Sequence, residues 1–297
     1  MPELPDLAVY VERIAEHTVG RPLRALRLPS VFVLRTALPP VSVLPGRAVT
    51  GVRRLGKRIV LGFEPLDGRP LHLVIHLMIA GRLHWRAPGT RLAAGALAAL
   101  DFDHGSLVLT EAGSKRRASL HLVAGDDALA ALDRGGLEPL ACTREQFVER
   151  LRRENHTLKR ALTSPQLLAG VGNAYSDEIL HRARLSPLQL TRALDDAAWA
   201  RLFDATRAVL AEWTERLRAE SAGGWPQKVT AFRPDFAVHG RFGQPCPDCG
   251  APVQRIVHAD NETNYCARCQ TGGKVLADRA LSRLLKDSWP RDIDELM

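Results

Sequence analysis

The chain has 297 residues, enough for two or three compact units that each bury a core. Its 41 Lys and Arg against 33 Asp and Glu give a net charge of +8, which favours a polyanionic partner, although a solubilising surface would show the same excess. Early acidic residues argue against a secretory signal, and the lack of an apolar run of about 18 residues excludes a membrane-spanning protein. We therefore expect a cytoplasmic protein without membrane association.

The first predicted element is a helix capped by Asp6. From Leu7 onward, apolar residues recur at the spacing i, i+3, i+4 and i+7 that places them on one helix face. Gly20 is expected to end this helix.

Short strands follow up to about residue 125. Asp67-Gly68 and His104-Gly105 are pairs typical of the turns between such strands. The predicted strands are Leu23–Leu28, Ile59–Phe63, Leu71–Leu77, Arg82–Trp85, Ser106–Thr110 and Ser119–Val123. We predict a β-sandwich or flattened barrel, which with the first helix forms an N-terminal domain over residues 1–130.

In residues 131–225 the apolar period becomes that of helices, which predicts a helical domain. Thr143 and Gln146 form a capping box, and Ser164 with Pro165 predicts a further helix start. Gly170 opens a tight turn that leads into a helix predicted to end at Ala183.

A long helix is predicted from Asp195 to about Glu220. Trp199 and Trp213 lie on its apolar stripe, so we expect them in the core rather than in contact with a ligand.

Residues 226–297 form the third predicted region, which contains a loop, a zinc finger and a C-terminal extension. Cys246, Cys249, Cys266 and Cys269 form two CxxC pairs separated by 16 residues. This spacing predicts one Zn²⁺ bound by four thiolates, and because no coordination position stays open for water, the metal is expected to be structural. Two disulfides are the alternative, which a reducing compartment disfavours.

Three segments that are far apart in the chain carry a family resemblance. They are the start Pro2-Glu3-Leu4-Pro5-Asp6, the turn Gly170-Val171-Gly172-Asn173-Ala174-Tyr175-Ser176-Asp177-Glu178, and the run from Val238 to Gln270. In this order they resemble the N-terminus, the helix-two-turn-helix signature and the zinc finger of the formamidopyrimidine-DNA glycosylase and endonuclease VIII family. The resemblance implies an α+β protein with an N-terminal β-sandwich preceded by a helix, a helix-two-turn-helix domain and a C-terminal zinc ribbon.

The resemblance also implies a catalytic set of Pro2, Glu3 and Lys57. Removal of Met1 would leave Pro2 with a secondary amine, and a terminal amine has a pKa near 8 against about 10.4 for Lys, so more of it is nucleophilic at pH 7. It would attack the sugar and displace the damaged base, while Glu3 moves protons. Lys57 would contact the phosphate beside the lesion; from its sequence context alone, a solvated lysine is the alternative.

Further residues are implied to bind DNA. Asn173 follows a glycine turn at a helix start, where backbone N–H groups favour an anion, although a simple helix cap explains it as well. Lys159 matches another phosphate contact of the family, and Arg116 is expected to contact DNA. Met78 or Ile79 would fill the gap that a flipped base leaves.

Four features depart from the family pattern. Asp6 stands where the family has Glu, and helix capping explains it. Asn261 replaces a phosphate-gripping Arg, and Ala118, in the segment Ser114–Ser119, stands where one branch has an aromatic residue. Finally, 28 residues follow Cys269, more than the family usually carries.

The leading hypothesis is a monomeric base-excision-repair glycosylase with abasic-site lyase activity, acting on oxidised bases in double- or single-stranded DNA. An alternative is a lyase or glycosylase for abasic, non-standard or strongly distorting lesions. A second alternative is a non-catalytic protein of the same fold that binds damaged DNA. Pro2 and Glu3 argue against it, because binding alone would not require them. The departures at Ala118 and Asn261 predict a preference for abasic sites, bubbles or single strands over 8-oxoguanine paired with cytosine.

Overall fold

The computed structural model describes residues 1–112, 116–230, 232–258, 261–278, 282–284, 286 and 290–296. The chain forms two compact units, each made of two chain segments. The first unit consists of Met1–Arg134 and Trp213–Thr230, and the second of Gly135–Glu212 and Ala231–Met297. None of the helices in the described ranges combines the length and apolarity that a membrane crossing needs.

The first helix, α1, spans Leu4–Thr18 and begins earlier than expected. Glu3 is its N-cap residue, so the prediction that Asp6 caps it from that position is wrong. Pro5 fits the first helical turn because the N–H that proline lacks has no helical partner there. Asp6 still helps to cap the helix, since its Oδ2 accepts a hydrogen bond from the Glu3 backbone N–H at 3.1 Å.

Eight strands of the first unit form two antiparallel four-stranded sheets, with the strand orders β2-β3-β4-β8 and β1-β6-β7-β5. The strands are β1 (Ala25–Arg27), β2 (Val49–Leu55), β3 (Arg58–Leu66), β4 (Arg69–His76), β5 (Gly81–Arg86), β6 (Ala96–Phe102), β7 (Gly105–Glu111) and β8 (Ser119–Ala124). The predicted β-sandwich is confirmed. The sequence patterns missed β2 and β6.

The core of the first unit lies between these sheets and α1. It includes Tyr10 of the helix, Leu73 and Leu107 of the strands, and Val229 from the second chain segment of the unit. A short helix, α2 (Asp126–Ala130), follows the last strand.

In the second unit, the helix α3 (Arg144–Arg152) begins at the predicted capping box, with Thr143 as its N-cap. The next helix, α4 (Leu158–Thr163), ends at Ser164, so the prediction that Ser164 and Pro165 start a helix is wrong. Proline disfavours helical dihedral angles in the residue before it, and Ser164 is accordingly extended, with ψ of 116°.

Two longer helices follow, α5 (Asn173–Ala183) and α6 (Asp196–Ser221), both close to their predicted bounds. The chain passes from the second unit back to the first within α6. Trp199 and Trp213 are buried, as predicted.

The zinc-finger region contains the antiparallel strands β9 (Gln254–His258) and β10 (Asn261–Tyr265) and the helix α7 (Ala267–Thr271). The segment after the last cysteine packs against it. Ile293 is buried with Tyr265 in the core of the finger, and Asp278 accepts the Val257 backbone N–H at 2.6 Å. The described residues of the C-terminal extension therefore include parts of the folded finger.

Candidate active site and zinc centre

The start of the chain is buried in the first unit. Pro2 and Glu3 are both buried, and Glu3 is 3% exposed. Burial lowers the pKa of the terminal amine, here that of Met1, because it penalises the ammonium form; Glu3 opposes this shift, and the positive charge of Arg82 adds to it. The terminus thus lies where an amine loses its proton more readily than in water.

Lys57 lies at the turn between β2 and β3, directly after Gly56. Gly56 has φ of +57°, a conformation that glycine adopts without strain. The charge of Lys57 also lowers the pKa of the terminal amine, and its side chain is partly buried. The structure therefore brings Lys57 to the same edge of the sandwich as Glu3 and the chain terminus.

His76 is a residue of this edge that the sequence reasoning did not select. It ends β4 and pairs in register with Arg58 of β3. Burial and the charges of Arg58 and Lys57 lower its pKa to about 4, so its ring is neutral at pH 7. The sequence did hold one signal for His76: it directly precedes Leu77-Met78, and Met78 was already expected to contact DNA.

The turn from Leu77 to Gly81 carries both predicted wedge residues. Met78 has φ of +53°, which L residues other than Asn and Asp rarely adopt, and Ile79 is 59% exposed. The turn closes through the Gly81 N–H, which donates to the Leu77 carbonyl oxygen at 2.9 Å, and a Cβ on Gly81 would lie 2.2 Å from that oxygen. This tight turn leaves Ile79 projecting into solvent.

The segment that precedes β8 is anchored by Glu111. Its Oε2 accepts the backbone N–H groups of Arg117 at 2.8 Å and Ala118 at 2.9 Å. Ala118 is buried in the core, whereas Arg116 is exposed. Ser114 and Lys115, which belong to the segment compared with the family, lie outside the described residues.

In the second unit, Lys159 and Asn173 lie together at the start of α5. The Lys159 ammonium is 2.6 Å from Asp177 Oδ1 and donates to the Asn173 carbonyl oxygen at 2.7 Å. The other carboxylate oxygen of Asp177 is 2.7 Å from His239 Nδ1. The charge of Lys159 is thus matched inside the protein, and its contact with a phosphate stays a prediction.

Asn173 connects this cluster to the hairpin of the finger. Its Nδ2 donates to the Glu262 carbonyl oxygen of β10 at 2.8 Å. Asn261, on the same strand, is exposed. An uncharged side chain therefore occupies the surface position where the family resemblance implied a guanidinium.

Glu178, which the sequence reasoning quoted but gave no role, holds the loop that leads into the finger. Its carboxylate accepts the backbone N–H groups of Ala237, Val238 and His239 at 2.7 to 2.9 Å. Burial raises the pKa of Glu178, although these three hydrogen bonds favour its charged form. Ser176, Asp177 and Glu178 are all buried, a pattern unusual for consecutive polar residues in a helix.

The four cysteines form one cluster. The Sγ atoms of Cys249 and Cys266 are 3.4 Å apart and those of Cys246 and Cys269 are 3.9 Å apart, and all four lie within 4.8 Å of one another. Tetrahedral Zn–S bonds of about 2.3 Å require sulfurs roughly 3.8 Å apart, so the arrangement suits a structural zinc ion.

The surroundings also suit a cation. Burial raises the pKa of the Cys269 thiol to about 11, so the thiolate form needs a positive charge beside it. His181 Nε2 lies 3.3 Å from Cys246 Sγ, within reach of an N–H···S hydrogen bond of the kind that orients metal-ligating sulfur.

Comparison with known proteins covers nearly the whole chain. The family model described as the formamidopyrimidine-DNA glycosylase N-terminal domain matches residues 1–120, that for the H2TH domain matches residues 136–221, and that for the zinc finger found in FPG and IleRS matches residues 243–272. Formamidopyrimidine-DNA glycosylase from Heliobacterium modesticaldum is 33% identical over 91% of this chain and all of the relative. The chain belongs to the formamidopyrimidine-DNA glycosylase family.

Other relatives agree with this assignment. The Thermus thermophilus formamidopyrimidine-DNA glycosylase is 33% identical over 92% of this chain and 100% of its own length. A complex of Lactococcus lactis Fpg with DNA that contains an abasic site has a similar fold, with a TM-score of 0.78 at 23% identity over 91% of this chain and 99% of that one. The Fpg-like fold and the zinc finger expected from the sequence are confirmed.

Proposed function

We propose that this protein is a base-excision-repair DNA glycosylase with abasic-site lyase activity, and that the nitrogen of Pro2 is its nucleophile. The observation that carries the proposal is the buried chain terminus, where burial lowers the pKa of the Met1 amine and where Glu3 and the charge of Lys57 are close by. Membership of the glycosylase family supports the same reaction, and the DNA complexes of Lactococcus lactis Fpg support damaged DNA as the partner. The protein acts as a monomer.

The first step replaces the base. After Met1 is removed, the neutral amine of Pro2 attacks C1′ of the damaged nucleotide, and the bond between C1′ and the base breaks. The base leaves with its bonding electrons and takes up the proton that the amine loses. The Glu3 carboxyl group then gives a proton to O4′, the sugar ring opens, and a positively charged Schiff base joins Pro2 to C1′.

The second step cleaves the strand. The Schiff base acidifies the proton on C2′, which the Glu3 carboxylate accepts, and the bond to the 3′ phosphate breaks. A further elimination removes the proton on C4′ and breaks the bond between C5′ and the 5′ phosphate oxygen, which releases that phosphate. Lys57 holds the phosphate beside the lesion with its positive charge, and Asn173, with the backbone N–H groups at the start of α5, binds another phosphate.

The preferred substrate is a site where the base is absent or poorly stacked. Ala118 is buried and offers no side chain to fill a gap in the stack, and the exposed Asn261 is uncharged. Both features weaken the hold on an intact duplex, so abasic sites, bubbles and single strands are favoured over 8-oxoguanine paired with cytosine.

Borohydride trapping tests the proposal. The mass of the purified protein first establishes that Met1 is absent; the protein is then trapped on single strands, bubbles and duplexes that carry an abasic site or 8-oxoguanine. We expect a covalent adduct at the nitrogen of residue 2. The amine reacts only when neutral, and burial lowers the pKa of the Met1 amine from its ordinary value of 8.0. If the Pro2 amine experiences the same burial, the trapping rate should rise with pH to a midpoint below 8.0.

A fusion tag placed ahead of Pro2 provides the matched control. With the tag in place, the Pro2 nitrogen is an amide and trapping should disappear; cleavage that leaves Pro2 first should restore it. An adduct that maps to Lys57, or one that forms with the tag in place, would contradict the assignment.

A further inference from the structure

Phe32 is an exposed aromatic side chain that the proposed mechanism does not use. Its side chain is 81% exposed. Among the large apolar side chains whose burial the structure describes, only Leu38 is as exposed. Single exposed apolar residues are common, so exposure alone indicates nothing. Phe32 differs from other exposed apolar residues in its position at the edge of the sheet and in the backbone contacts that hold its segment.

The backbone around Phe32 is fixed to the edge of a sheet. The 3-10 turn Val31–Val33 buries Val33 in the core, and Leu34 then pairs with Leu120 of β8 in parallel orientation. The Arg35 N–H donates to the Leu120 carbonyl oxygen at 2.8 Å, which holds the segment in register. Phe32 is therefore presented by an ordered segment.

The same register places Phe32 at the edge that carries the proposed active site. Going across the sheet, Arg58 pairs with His76, His76 pairs with Ser119, and the next residue of β8, Leu120, pairs with Leu34. Neighbouring strands lie about 4.8 Å apart, so the segment of Phe32 runs roughly 15 Å from the Lys57 turn. The exposed Ile79 follows His76 on this same edge.

Charge and shape around Phe32 suit nucleic acid. Arg35, three residues further along, is exposed, and so are Arg116 and Arg117 in the segment that enters β8. The two segments run in parallel where Leu34 pairs with Leu120, so Phe32, two residues before Leu34, lies on the side of Ala118, two residues before Leu120. An exposed aromatic ring on a surface that also carries exposed arginines can stack on a base while the guanidinium groups meet phosphates.

We propose that Phe32 is a positioning residue that stacks on the bases beside the lesion and supports the gap in the duplex. This inference rests on the proposed function. A base that leaves the stack exposes the faces of its neighbours, and an aromatic side chain covers such a face whatever the base is. Phe32 supplies from a separate loop the aromatic surface that residue 118 does not offer.

The experiment compares Phe32→Ala with Leu38→Ala, an equally exposed residue of the same loop. Because this loop runs parallel to β8, Leu38 lies further from the active-site edge. Binding is measured to a duplex with a tetrahydrofuran abasic analogue, which needs no catalysis. The fluorescence of 2-aminopurine is recorded with the probe beside the analogue and, in a second duplex, five base pairs away.

We expect Phe32→Ala to weaken binding about tenfold and to remove the fluorescence change of the adjacent probe, with the distant probe unaffected. Phe32→Trp should restore both readings, and Leu38→Ala should match the wild type. Equal behaviour of Phe32→Ala and Leu38→Ala would overturn the inference. A fall in the melting temperature of Phe32→Ala that accounts for the lost binding would also overturn it.

Failure of the proposed function gives a different result. Wild-type protein would then bind the analogue without being trapped by borohydride on abasic DNA, while the probe still reports whether Phe32 stacks.

Discussion

In the first unit, charges of both signs lie near the terminal amine: burial and the charges of Arg82 and Lys57 lower the pKa of this amine, and Glu3 and Asp6 oppose the shift. In the second unit, buried charged groups meet specific partners on neighbouring elements. Lys159 is paired with Asp177, which also meets His239, and Glu178 is bound by three backbone N–H groups. The groups that we propose to carry out the chemistry therefore lie around the chain terminus of the first unit, whereas buried charges of the second unit hold its helices and loop in place.

The largest expected effect tests how the second unit is held. Cys249→Ser, or removal of the metal by a chelator, should abolish binding of one zinc ion per chain and unfold the finger, because zinc sites of this kind contribute about 10–16 kcal/mol of apparent binding free energy. The sandwich of the first unit should persist. Metal analysis together with limited proteolysis measures both results, and purified wild-type protein without zinc would contradict the metal assignment.

The next prediction concerns chemistry in the first unit. Glu3→Gln should slow base excision about 10²- to 10⁴-fold, the usual contribution of a general acid–base group. It should slow cleavage at a preformed abasic site less, because the open aldehyde form of such a site makes the Schiff base without the ring-opening proton from Glu3, and only the removal of the C2′ proton still uses this residue. Asp6→Asn is the matched control, since Asp6 shares the helix cap through its contact with the Glu3 N–H. Single-turnover rates on both substrates measure the difference; equal losses for the two variants would assign Glu3 to capping alone.

The last prediction compares Lys57 of the first unit with Lys159 of the second. Lys159→Met should destabilise the protein by about 3–5 kcal/mol because it leaves the buried Asp177 without the ammonium group that neutralises its charge, with His239 as a neighbour on its other oxygen. Lys57→Met should weaken binding to undamaged duplex and reduce the slope of log affinity against log salt by about 1. Thermal unfolding and a salt titration of both variants distinguish these roles, and a binding defect of Lys159→Met without loss of stability would reverse the comparison.

Much of the fold could be predicted from the sequence, because several of its elements are specified by patterns of neighbouring residues. The capping box at Thr143 and the cysteine spacing each depend on neighbouring residues alone. The missed strands have other causes: β6, with the sequence Ala-Leu-Ala-Ala-Leu-Asp-Phe, is nearly continuously buried and rich in a residue of low strand propensity, and β2 contains Gly51 at an irregular register and two arginines.

The site was predictable only in part, for a related reason. Pro2, Glu3 and Lys57 came from the family resemblance, because no local pattern joins residues more than fifty positions apart. The ion pair of Lys159 with Asp177 and the loop contacts of Glu178 depend on tertiary packing that buries nearly all of α5. Acidic residues normally lie on the solvent face of a helix, so the sequence of α5 did not indicate that Asp177 and Glu178 are buried.

The division of each unit between two chain segments has a consequence for synthesis on the ribosome. Trp225 and Val229, which pack against the core of the first unit, are made about 100 residues after β8 is complete. At about 5–20 residues per second, this delay is on the order of 5 to 20 s. During that time the nascent chain exposes part of an apolar core that only its later segment can cover, and it must be protected from aggregation until then.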